Sequence, residues 1–310
     1  MNTPSDAMSN SPLDSQSVTP VTLSATRPFD WSIRREFWEY RSLYLAPLAV
    51  AALYLCGFLL GAVHLPTKMR AAMALHSMQQ HDAVALPYHF AALLLMGTAI
   101  IVGIFYSLDA LYGERRDRSI LFWKSLPVSD LTAVLSKATI PIIFLPLIAF
   151  AVTIALQSVM LLVSTLVLLA SGQSVATFWS QLSWFQMSLM LFFHLLGIHG
   201  LWYAPIYGYL LLVSAWARRT AFLWAALPPI ALCFVEKIAF NTSHIANLLL
   251  YRLSGENEGA PFTLPSASMD PMHRLELGRF LSSSGLWIGL AFTAICLVAA
   301  ARLRRSRGPI

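Results

Sequence analysis

The chain has 310 residues, of which 57% are apolar and 12% charged, and a formal net charge of +6. A soluble domain carries about 25% charged residues. Here the missing charge is concentrated in uncharged runs of about 18 residues or more, the length a helix needs to cross a bilayer. A soluble globular protein is therefore excluded. The basic residues flank those runs, so they point to membrane topology and anionic lipid and away from nucleic acid.

Residues 1–28 are rich in Ser, Thr and Pro and have no apolar core. They read as a disordered cytosolic tail and not as a signal peptide. Residues 29–310 read as a single transmembrane domain. Ahead of the first apolar run, Phe29, Ile33, Phe37 and Tyr40 fall on one helical face and Trp31 and Trp38 on another. Arg34, Arg35, Glu36, Glu39 and Arg41 fill the rest. Aromatic residues mixed with arginine favour the headgroup layer, which predicts an interfacial helix over 29–42. The plainer alternative is the aromatic belt of the first span.

The first span is expected over Leu43 to Val63. A polar segment, His64 to His89, separates it from the second span, Phe90 to Leu108. A charged segment runs to Lys137. The third block, Ala138 to Ala170, is 33 residues long, whereas a straight span needs about 20. It predicts one long helix, tilted or kinked at Pro141 or Pro146. After an uncharged loop, the fourth block, Trp184 to Trp216, is interrupted by Gly200, Pro205 and Gly208. A kink or break is expected there, with neighbouring helices satisfying the freed backbone groups. The fifth span is Ala221 to Phe240. An external loop over 241–279 and a sixth span, Phe280 to Ala301, complete the chain.

Six spans place both termini on one side, and basic residues decide which. Of the 21 lysines and arginines, 15 fall on the face that carries the termini, five on the other and one within a span. The fold class is therefore all-α: a polytopic membrane protein with six transmembrane helices and both termini cytosolic. Cys56, Cys233 and Cys296 all lie in apolar runs and read as small apolar residues without a disulfide role.

Few residues suggest chemistry. No G-x-x-x-x-G-K-[ST] loop is present, so a nucleotide site of that kind is absent. His194 and His199 are five apart, about 140° around an α-helix, and do not share a face. No H-E-x-x-H motif occurs. Met269, Met272 and His273 form a loop cluster that reads as scattered residues and not as a metal site. Ser282, Ser283 and Ser284 have no paired base. No catalytic, cofactor or metal residues are assigned. Glu236 and Lys237, the charged pair inside a span, lie near its outer end and can reach the interface.

The segment over 112–137 carries the most information. A charged cluster is followed by Ile120, Leu121, Phe122, Trp123 and Leu126, and Pro127 closes the run. The apolar group is too short to cross a membrane. Burial of each large apolar side chain is worth roughly 1.5–3 kcal/mol, so lipid, the bundle or another protein is expected to cover it.

The pattern Glu114-Arg115, Arg118-Ser119-Ile120-Leu121, Leu126-Pro127-Val128-Ser129 and Lys137 resembles the first cytosolic loop of ABC-2-type permeases. Ser119-Ile120-Leu121 stands where that family often has Gly-Thr-Leu. The layout of spans and termini is also similar. The resemblance implies a permease subunit, usually of an exporter, in a bacterial-type inner membrane. It implies pairing with a second permease copy and a separate ABC ATPase subunit that binds the ATP. The segment 112–137 would be its coupling loop. Glu114, Arg115 and Arg118 would make polar contacts to the ATPase or between helices, and Phe122, Trp123, Leu126 and Pro127 would form the apolar part. Two other readings stand beside it: a membrane scaffold or assembly factor with no transport path, and an intramembrane hydrolase.

Overall fold

A computed structural model describes residues 26–75, 77–125, 128–182, 184–254 and 280–308. Helices and their connecting turns make up the described residues, with no strand among them. The expectations for residues 1–25, Leu126, Pro127, the loop residues 255–279 and the cluster of Met269, Met272 and His273 lie outside them. Six stretches are long and apolar enough to cross a membrane: Ser42–Ala62, Gln79–Arg116, Asp130–Ala170, Val175–Trp202, Ala221–Phe240 and Ser284–Ser306. The protein is thus a multi-pass membrane protein.

Helix α1 (Thr26–Glu39) leads into α2 (Ser42–Ala62) through a short turn. It divides as its periodicity predicts. Ile33, Phe37 and Tyr40 pack against a core that includes Leu43, Tyr106, Val134 and Ile140. Phe37 stands edge-on to Phe144 at 5.5 Å. Trp31 and Trp38 remain exposed.

Helix α3 (Leu65–Met73) precedes α4 (Ser77–Asp109), which starts well before the expected Phe90. Its polar first turns read as loop, but Val84, Ala85 and Tyr88 are buried against α2 and the third span. One-sided burial overrides the polar composition. At the level of Pro87, side chains of neighbouring helices bond to the backbone of α4. The Tyr54 hydroxyl donates to the Pro87 carbonyl (2.7 Å) and Gln157 Nε2 to that of Tyr88 (3.1 Å).

Helices α5 (Tyr112–Arg116) and α6 (Ile120–Ser125) form the connection to the third span. That span begins at Asp130 and not at Ala138. Ser129 caps α7 (Asp130–Thr139) by accepting from the Thr132 amide. A π-helical turn, Ile140–Phe144, joins α7 to α8 (Leu145–Ala170). The turn holds Pro141, which has no amide to donate and so disturbs the regular ladder. The predicted kink is therefore a local widening of the helix.

Helix α9 (Val175–Gln181) crosses to α10 (Trp184–Phe193), which passes into a longer π-helical segment, His194–Trp202. The helix breaks at Tyr203. It restarts as α11 (Ala204–Trp216) with Pro205 in the first turn, where no amide is needed. The two π-helical segments press together: a Cβ on Gly200 would lie 2.6 Å from the Ile142 carbonyl oxygen.

Helix α12 (Ala221–Phe240) is followed by α13 (His244–Ser254). The Glu236 carboxylate accepts from the amides of His244 (2.6 Å) and Ile245 (2.8 Å) and from the Thr242 hydroxyl (2.8 Å). It caps α13, so its place in the span is explained by helix-end chemistry. Helix α14 (Ser284–Ser306) packs closely along α11. Small residues permit that approach: a Cβ on Gly208 would sit 3.1 Å from Thr293, and one on Gly289 2.8 Å from Pro205.

Candidate functional site

Five elements converge at one end of the bundle: α1, the end of α4 with α5, α7, the end of α11 and the end of α14. Ion pairs hold them together. Glu114, only 1% exposed, lies at the centre. Its Oε1 is 2.9 Å from Arg35 Nη1 and 3.3 Å from Lys137 Nζ, and its Oε2 is 3.3 Å from Arg304 Nη2. Lys137 also reaches Glu36 Oε1 at 2.8 Å. The other oxygen of Glu36 accepts from the Tyr106 hydroxyl at 2.8 Å. Arg304 Nη1 pairs with Asp130 at 2.5 Å.

The cluster balances three cations, Arg35, Lys137 and Arg304, against three carboxylates, Glu36, Glu114 and Asp130. Isolated burial of any one would cost several kcal/mol. Mutual pairing from different elements is what lets them sit together. At the rim, Arg35 Nη2 pairs with Glu39 at 2.9 Å. Burial works against the Arg35 charge, but Glu114, Glu36 and Glu39 outweigh it and hold its pKa above the usual value. Burial and the neighbouring Asp109 carboxylate likewise push the Tyr40 hydroxyl up, so it stays protonated and donates to Asp109 at 3.2 Å.

A second set of bonds ties the same loop to α11 and α14. Arg115, 4% exposed, donates to the carbonyls of Ala215 (2.7 Å) and Ala217 (3.0 Å), at the carbonyl-rich end of α11. A cation there complements the helix dipole. The amides of Leu111 and Tyr112 both donate to Ser214 Oγ, at 3.0 and 2.8 Å. Lys124 donates to the Arg305 and Arg307 carbonyls, and Arg307 to that of Trp216.

The expected loop residues therefore separate into two groups. Glu114 and Arg115 point inward and join helices. On α6, Ile120 is buried, and Trp123 lies beneath the Arg35 guanidinium, 3.5 Å from the ring centroid. Leu121 and Phe122 face out, 59% and 61% exposed. Of the four described members of the apolar group, the bundle covers two, Ile120 and Trp123. Arg118 is exposed and joins α5 to α6 with φ at 59°, a left-handed conformation that favours glycine. The sequence reading missed Arg35, Glu36, Asp130, Tyr106, Ser214 and Arg304 as partners. The available signals were carboxylates set among basic residues and Lys137 at the mouth of an apolar block.

The histidines lie elsewhere, in the second π-helical segment. Its i→i+5 bonding winds more widely than an α-helix, so the α-helical angle between His194 and His199 does not apply there. His199 is fully buried with Nε2 3.4 Å from the Tyr207 hydroxyl oxygen. Among the described residues, no group of three or more His, Cys, Asp or Glu side chains is placed to hold a metal ion. Cys56, Cys233 and Cys296 are free thiols.

No family model, curated protein or solved structure matches this chain.

Proposed function

We propose that this protein is the membrane subunit of an ABC-2-like exporter, powered by a separate ATP-hydrolysing subunit that docks on α5 and α6 from the cytosol. The observation that carries the reading is the two-sided character of that loop. Its inner side is bonded through Glu114, Arg115, Lys124 and Trp123 to α1 and to the ends of three crossings. Its outer side leaves Leu121 and Phe122 uncovered. A partner that pressed on these two residues would move α1 and the ends of α7, α11 and α14 together. This is the mechanical role a coupling loop requires, and it agrees with the Glu114-to-Lys137 pattern.

Further support comes from charge. The converging ends carry most of the lysines and arginines, which by the positive-inside rule supports a cytosolic position for them and both termini, and the loop pattern supports a bacterial-type inner membrane. A second permease copy would complete a transport path between the two halves. The chain itself would bind no ATP. A scaffold with no path would use the same outer face for a partner of another kind.

The test is affinity purification of the tagged chain from native membranes, with mass spectrometry of what accompanies it. The expected result is an ABC ATPase whose hydrolysis, in reconstituted vesicles, responds to the permease. L121S/F122S should insert normally and lose that ATPase. Purification without any ATPase, or full ATP-coupled activity in the double variant, would overturn the assignment. Another protein lost on the same substitution would support the scaffold.

A further inference from the structure

Helix α1 turns Ile33, Glu36 and Phe37 into the bundle, as the turn after it does Tyr40, and that fixes what its opposite side presents. Trp31, Arg34, Trp38 and Arg41 follow one another at spacings of three, four and three. Trp31, Arg34 and Trp38 therefore line one side of α1, and Arg41 follows in the turn before α2. All four are exposed, Trp31 by 63% and Trp38 by 76%. The Arg34 guanidinium lies 5.9 Å from the Trp31 ring centroid. Neither Arg34 nor Arg41 enters an ion pair among the described residues, although Asp30 and Glu39 are near in sequence, and Glu39 is held by Arg35.

The stripe's position decides its partner. Arg41 immediately precedes α2, the first crossing helix, so the stripe ends where the chain enters the apolar layer. A second aromatic–arginine patch occurs at the same end of the bundle. There Trp216 and Trp224 meet edge-on at 4.7 Å, beside exposed Arg218 and Arg219. Indole rings favour the headgroup level, and guanidinium groups pair bidentately with phosphate.

We propose that the Trp31–Arg34–Trp38–Arg41 stripe binds the phosphate headgroups of anionic phospholipids and holds α1 in the headgroup layer. Each arginine takes a phosphate oxygen pair. The two indoles pack against the glycerol and upper acyl region between them. This inference is independent of the permease reading, because it needs only a bilayer with anionic lipid.

Native mass spectrometry tests it on the full chain, released from detergent that contains equimolar phosphatidylglycerol and phosphatidylcholine. The wild-type protein should retain phosphatidylglycerol preferentially. An arginine near a charged leaflet contributes about fivefold in affinity. R34Q/R41Q should therefore lower phosphatidylglycerol binding about 25-fold and weaken phosphatidylcholine, whose phosphate charge is offset by its choline, by less. W31A/W38A should weaken both lipids. A melting temperature equal to the wild type's would show that R34Q/R41Q keeps the fold. Three results would overturn the proposal: an undiminished phosphatidylglycerol preference in R34Q/R41Q, loss of that preference only in R218Q/R219Q, or displacement of the lipid by equimolar glycerophosphate. The second would place the lipid at the turn before α12, and the third would reduce the stripe to a simple anion site.

Discussion

At the charged end, six ionised side chains from α1, α5, α7 and α14 meet around Glu114 and leave no net charge among them. Five residues beyond Lys137, at Ile142, the third span enters a different kind of contact. There two π-helical segments meet backbone to backbone, with Gly200 against the Ile142 carbonyl and no ion pair between them. The first region depends on every charge having its partners. The second depends on shape, because only a residue without a side chain fits the gap. One span therefore carries, in succession, a junction specified by electrostatics and a joint specified by sterics.

Breaking the first region should have the larger effect. Glu114→Ala would leave Arg35, Lys137 and Arg304 facing one another without their common carboxylate. Removal of one member of a buried ionic group costs about 3–5 kcal/mol. A marked fall in melting temperature in detergent is expected, and a melt indistinguishable from wild type would show that the cluster does not hold the end together.

Ser214→Ala probes the same region without touching charge. It strands the Leu111 and Tyr112 amides, and each unsatisfied buried group costs about 1–3 kcal/mol. Amide exchange by mass spectrometry should rise locally at the end of α4.

Gly200→Ala tests the second region. Its methyl group would be forced against a backbone oxygen, and overpacking of this kind costs about 1–3 kcal/mol. Its effect should add to that of Glu114→Ala within about 0.5 kcal/mol if the regions are independent. A larger deviation in the melting of the double variant would show that strain at the joint reaches the ionic cluster.

The smallest stability effect is expected for Phe122→Ala. Its side chain is 61% exposed, and substitutions at such positions usually stay within about 0.5 kcal/mol. Unchanged melting with loss of partner binding would separate the loop's outer surface from its inner structural side.

Much of this was legible in the sequence for physical reasons. Apolar run length gave the crossings, and alternation of basic residues supported their number. The π-helical turn at Pro141 and the break near Pro205 sit where residues lacking an amide donor predicted irregularity. Element boundaries were less legible. The first turns of α4 and most of α7 are polar enough to read as loop, and they are helical because one face of each is buried. The loop residues Glu114 and Phe122 were identifiable, but not their opposite orientations, since a six-residue helix carries too little periodicity to assign its faces.

Composition and charge pattern alone specify the class of molecule: a multi-pass helical membrane protein with its basic residues gathered at one end. Those properties follow from local composition and need no knowledge of which helix meets which. Helix packing is what brings Glu36, Glu114, Lys137 and Arg304, up to 268 positions apart in the chain, into one neutral cluster. The same packing leaves Leu121 and Phe122 uncovered. The pairing of buried charges and the covering of apolar surface depend on contacts between distant segments, and those exist only once the helices have packed.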